Sequence, residues 1–236
     1  MEFKLIGETA MECRNVQRRI KPVYIMHQDG ILDREKQAVI DGIKELLKIA
    51  KVDLTISDLA VWKERNYKNP DGSLKPYCSI DWYMEEGKKA SKKPSRLNAE
   101  GILPHLRKWS KEKGCYTVFI LQEDIYEPRA EFVIGYSNYP TAIISVFRFR
   151  KLEENQKYEC IKTLAMHEVG HMFGLPSDKR KENVEENLGG HCTNNKCVMR
   201  QGLVVPHDWI KMTHDRIEYG PLCNQCINEL RAFFRE

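Results

Sequence analysis

Two histidines four residues apart, His167 and His171 in "HEVGH", are the residues of this chain best spaced to share a metal ion. On a helix, positions i and i+4 stack one turn apart, so both imidazoles can reach one ion. Glu168 follows the first histidine, about 100 degrees round the helix. There it can hold a metal-coordinated water without being a ligand itself, the HExxH arrangement. The surrounding stretch "ECIKTLAMHEVGHMFGL" is apolar on several sides and would bury the helix. Two surface histidines on an acidic helix are the competing reading. Burying His, Glu and His without a shared partner would be costly, which favours the metal.

Two imidazoles leave a catalytic zinc one protein ligand short. Gly174, three residues after His171, can take a positive φ and turn the chain sharply out of the helix. Asp178 and His191 are the two candidates beyond it. His191 is favoured, because "PSDKRKENVEENLG" ahead of it is polar and bounded by Pro176 and Gly189, like a loop inserted over residues 177–190. Loop closure costs only the logarithm of length, so such an insertion is tolerable. Asp178 needs only a one-residue shift and stays open.

Cys192 directly follows His191, Cys197 lies five on, and "CNQC" adds Cys223 and Cys226. Two close pairs of thiols suit a closed four-cysteine structural zinc site, which has no open position for chemistry. Such an ion would also fix the backbone next to His191. Four unrelated thiols are the alternative. Cys13, Cys78, Cys115 and Cys160 are scattered and read as free thiols, buried for their apolar character.

Several elements must position these groups. Residues 21–28 read as a strand, 32–51 as an amphipathic helix and 52–62 as a second strand, a β-α-β opening. Residues 63–80 read as a turn-rich excursion. A helix over 98–113, interrupted near Pro104, precedes the most apolar strand, 115–122, expected at the sheet centre. Two extended runs follow in 131–150, the first at an edge. The metal-site helix starts near Leu152, with Ile161, Leu164, Glu168 and His171 along one stripe. Beyond Gly174 periodicity fades until a C-terminal helix. The expected fold is α+β: a mixed twisted sheet with the site helix over residues 1–174, and a small irregular zinc-stapled subdomain over 175–236.

Taken in order, these residues resemble the signature of one family, the archaemetzincins: HExxHxxGxxHC, four residues, C, one residue, M, a spacer and CxxC. His167, Glu168, His171, Gly174, His191, Cys192, Cys197, Met199, Cys223 and Cys226 match it. The stretch "LQEDIYEPRAEFVIGYSNYPTAIISVFRFR" resembles the family's sheet segment and cleft rim. Two departures are the insertion before His191, which leaves Ser177 at the usual third-ligand spacing, and a longer spacer from Met199 to Cys223. The resemblance implies a zincin-like fold, two zinc ions per chain and a metallopeptidase acting on peptide or protein substrates. It further implies Glu168 as general base, Met199 as a floor beneath the histidines, and the strand near 131–136 as a template for peptide edge addition. A zinc-binding module with its cleft blocked by the insertion is the alternative. A nucleic-acid-binding ribbon built on the cysteines is a third reading.

Composition narrows the choice. A net charge of +4, from 38 basic and 34 acidic residues, argues against a nucleic-acid or membrane-surface partner. The densest basic run, "GKKASKKPSR", reads as a solvated loop. With 42% apolar residues the chain can form a sizeable core. The first fifteen residues lack a signal-like apolar stretch, so a cytoplasmic chain with reduced thiols is expected.

Overall fold

The computed structural model describes residues 19–185 and 190–235. Cys13 and part of the inserted segment lie outside them. The chain opens with β1 (Val23–His27), α1 (Asp33–Ala50) and β2 (Ile56–Asp58). Then come α2 (Ile80–Lys89), β3 (Leu97–Asn98), α3 (Leu103–Lys113) and β4 (Tyr116–Leu121). Four strands follow: β5 (Ile125–Glu127), β6 (Ala130–Val133), β7 (Gly135–Asn138) and β8 (Thr141–Ser145). They lead into the long helix α4 (Glu154–Met172). The remainder holds β9 (Val184–Glu185), β10 (His191–Cys192), α5 (His207–Tyr219) and α6 (Asn224–Phe233).

The main sheet has the order β2-β1-β4-β8-β7. The first four strands are parallel and β7 runs antiparallel to β8. This is the mixed sheet the sequence implied, with the apolar 115–122 run at its centre. Side chains alternate across the sheet as strand geometry requires. Val118, Ile120, Ala142 and Ile144 join a core with α1, α4 and the C-terminal helices. Phe119, Leu121 and Ile143 join a second core with α2 and α3 on the opposite face. Trp209 and Met212 of α5 and Leu230 of α6 are buried in the first core, where α5 packs against α4 and α6 against α1.

Three expectations shift. Residues 80–89 form α2, which takes in the end of the turn-rich stretch and the first three residues of the basic run expected as a loop; its first turn is capped by the Ser79 hydroxyl accepting from the Trp82 amide. The break expected near Pro104 falls at Ile102, between a 3-10 turn over Ala99–Gly101 and α3, and Pro104 sits in the first turn of α3, where its missing amide costs no helical hydrogen bond. The extended run near 131–138 is split between two sheets: β6 pairs with β5 in a small sheet, and β7 forms an edge of the main one. No described helix is long and apolar enough to cross a membrane.

Candidate active site

Helix α4 threads the core between α1, the sheet and α5, with most of its residues buried. His167 and Glu168 are 4% and 5% exposed, so the site is fixed by packing. The His167 Nδ1 pairs with the Val198 carbonyl oxygen at 2.6 Å, and the His171 Nδ1 with that of Leu175 at 2.7 Å. A carbonyl can only accept, so each Nδ1 carries the proton and each Nε2 presents its lone pair. The two Nε2 atoms lie 3.1 Å apart. Two nitrogens on a tetrahedral zinc at about 2.0–2.1 Å stand roughly 3.3 Å apart.

Gly174 has a φ of 74°, a left-handed conformation that ends the helix and sends the chain away from His171. After the inserted segment the chain returns in β10, where His191 is opposite Glu185 of β9. The His191 ring lies 5.2 Å from that of His167 and 5.0 Å from that of His171. One ligand atom from each of the three lies within 4.8 Å of the others. Asp178 lines the same cleft but stands outside this cluster.

Burial and the neighbouring imidazoles hold His167 well below its ordinary range, and push His171 down to about 3. Both are neutral at pH 7, the form that binds metal. Burial pushes the Glu168 carboxyl up to about 7, while the Ser137 hydroxyl, donating to its Oε2 at 2.5 Å, opposes the rise. Ser137 lies on β7. Two residues earlier, a Cβ added to Gly135 would stand 2.1 Å from Glu168 Cδ. The edge strand therefore rests directly on the carboxylate. Trp209 of α5 meets the His167 ring edge-on at 5.2 Å. Met199 is fully buried, and a Cβ on Gly170 would lie 2.4 Å from its sulfur, which places Met199 against the α4 turn between the two histidines. The site opens into a cleft of about 570 Å³, lined by β7, Glu127, Arg129 and Leu203 as well as the three histidines and Glu168.

Ser137, Gly135 and Trp209 carry no motif signal. Their contacts arise from β7 and α5 crossing α4 in the folded chain.

The second cluster lies next to the first. Cys192 and Cys223 sulfurs are 3.7 Å apart, those of Cys197 and Cys226 3.6 Å, and all four lie within 4.8 Å of one another. These are free thiols, not disulfides. Sulfurs on a tetrahedral zinc at about 2.3 Å stand roughly 3.8 Å apart. Hydrogen bonds from Cys197 hold Cys192 far below the usual thiol range and bring Cys223 down to about 6, while the reciprocal bonds push Cys197 up. Four thiols at this spacing, three of them buried, cannot all ionise without a cation among them. The two clusters share backbone. The Cys192 amide donates to the Met199 carbonyl at 2.8 Å, beside the Val198 carbonyl that orients His167.

No family model matches the sequence. The chain is 40% identical over 83 residues to an archaemetzincin of Nanoarchaeum equitans, covering 34% of this chain and 36% of that one. It is 35% identical over 124 residues to an archaemetzincin of Pyrococcus horikoshii, covering 47% and 52%. The matched stretch thus spans between about a third and about half the length of these curated relatives. Among solved structures, the archaemetzincin of Methanopyrus kandleri superposes with a TM-score of 0.52 at 17% identity, covering 92% of this chain and 97% of that one. A zinc-dependent peptidase of Methanocorpusculum labreanum gives 0.51 at 17% identity, covering 88% and 99%. These likenesses show a shared fold over nearly the whole chain. The chain is thus similar in sequence to archaemetzincins over part of its length, and shares the fold of their solved structures over nearly all of it.

Proposed function

We propose that this chain is a zinc-dependent metallopeptidase that cleaves peptide bonds in a peptide or protein substrate. One observation carries the reading: two imidazoles fixed by backbone carbonyls present their Nε2 atoms 3.1 Å apart at the floor of a cleft, with a third imidazole and a buried carboxylate beside them. His167, His171 and His191 would hold the catalytic zinc. Cys192, Cys197, Cys223 and Cys226 would hold a second, structural zinc. In this reading residues 1–174 supply the sheet, two ligands and the base, and 175–236 supply the third ligand and the thiol site.

When bound, zinc supplies an acidified water and polarises the scissile carbonyl. Glu168 takes the proton from the attacking water and returns it to the leaving amine. Ser137 fixes one carboxylate oxygen, and so aims the other. Strand β7, pairing with β8 on one side and lining the cleft, aligns an extended peptide by edge addition. Gly174 turns the chain, and Met199 supports the turn of α4 that bears the histidines.

The cleft reaches all three histidines among the described residues, which supports catalysis over a blocked binding module. Free thiols fit a reducing, cytoplasmic setting. The test is peptide turnover by purified chain. Turnover should stop with a chelator and return on adding zinc. Turnover that persists in metal-free protein would overturn the reading.

A further inference from the structure

The inserted segment before His191 contributes a buried cation to the thiol cluster. The Arg180 side chain is fully buried. Its Nη2 lies 3.1 Å from the Cys226 sulfur. Its Nε and Nη2 also make a two-pronged pair with Glu229 of α6, both bonds at 2.7 Å. Its Nη1 donates to the Asn183 carbonyl at 3.3 Å. That same carbonyl accepts from the Thr193 amide at 3.1 Å, one residue past Cys192. Asn183 leads directly into β9, which pairs with His191. The Ser177 amide, at the start of the insertion, donates at 3.1 Å to the same Glu229 Oε2 that accepts from Arg180 Nη2.

We propose that Arg180 is a positioning residue that clamps the inserted segment to the thiol cluster and so holds His191 in place. A buried guanidinium costs several kcal/mol unless paired, and here every described bond it makes ends on this junction. Its charge has two uses. It pairs with Glu229, and it offsets the surplus negative charge of a zinc held by four thiolates. Its planar fork reaches α6, the sulfur and the β9 backbone at once, which a lysine cannot do. The insertion thus carries its own anchor at the point where a long loop would otherwise leave the third histidine poorly fixed.

This inference rests on reading the two clusters as zinc sites, so the experiment measures metal before activity. Zinc per chain is counted, and release to a chromogenic chelator is timed, for wild type, Arg180→Gln and Arg180→Lys. Cobalt(II) substitution distinguishes the sites, because only the thiolate site gives sulfur-to-metal charge-transfer bands. Wild type should hold two ions. Arg180→Gln should lose the ion of the histidine site and release the thiolate-bound ion about 10- to 100-fold faster. Arg180→Lys, which keeps the charge but not the fork, should slow that release back towards wild type while the histidine site stays weak. Two ions with wild-type release in Arg180→Gln would overturn the clamp. If that variant does not fold, the same result in Arg180→Lys overturns it. A wild-type chain that takes up no zinc overturns the metal reading itself, an outcome distinct from failure of the clamp.

Discussion

Gly135 offers the sharpest test of how the edge strand and the Glu168 carboxylate are joined. Its φ is not left-handed, so Gly135→Ala adds a methyl group without backbone strain. The new Cβ would sit 2.1 Å from Glu168 Cδ and 2.2 Å from Oε1. Ordinary carbon contacts lie near 3.5–4.0 Å, so the carboxylate or the strand must move by roughly 1.5 Å. A displacement of about 1 Å at a reacting group costs about 100-fold in rate, or roughly 2.7 kcal/mol. None of the three histidines is touched, so zinc content should not change. The assay is kcat/KM on a quenched fluorescent peptide, with zinc content and Tm measured on the same sample. A fall of about 100-fold at full zinc occupancy is expected. Activity within about threefold of wild type would show that β7 does not set the position of Glu168, and would refute the reasoning.

Other substitutions probe the remaining parts. Glu168→Gln should keep both zinc ions and lose about 10²- to 10⁴-fold in turnover, measured by metal analysis and peptide hydrolysis. Cys223→Ser should lower zinc content at the thiol site and, through Cys192, weaken the histidine site too; normal catalytic-zinc occupancy would count against the coupling. Gly174→Ala forces a side chain to φ 74° and should cost about 1 kcal/mol or more, read as a lower denaturation midpoint. Stripping metal with a chelator should lower stability by about 4 kcal/mol per site that had been held at a thousand times its Kd, seen as a drop in Tm that zinc reverses.

Much of the site could be read from spacing because its chemistry is local. His167, Glu168 and His171 lie on one helix turn, and Gly174 turns the chain where a positive φ was expected. His191 could be proposed because Cys192 follows it, although an insertion hid the usual interval. What could not be read depends on elements that meet only in the folded chain. Ser137 and Gly135 are ordinary residues of an edge strand until β7 crosses α4. Arg180 looked like one more charge in a polar loop, and its burial follows from Glu229, 49 residues later. Helix α2 has a weak sequence signal because the turn formers of 63–80 precede it and a lysine-rich run overlaps its end. The cap that starts it is a single serine, Ser79. Pro104 was legible as a break because proline is tolerated only in a helix's first turn, so the helix proper begins beside it.

The most direct measurement is anomalous scattering at the zinc edge from crystals of the zinc-loaded chain. Two peaks are expected. One should lie about 2.0–2.1 Å from ring nitrogens of His167, His171 and His191, the other about 2.3 Å from the four sulfurs. A first peak bound by His167 and His171 alone, with His191 turned away from it, would contradict the account.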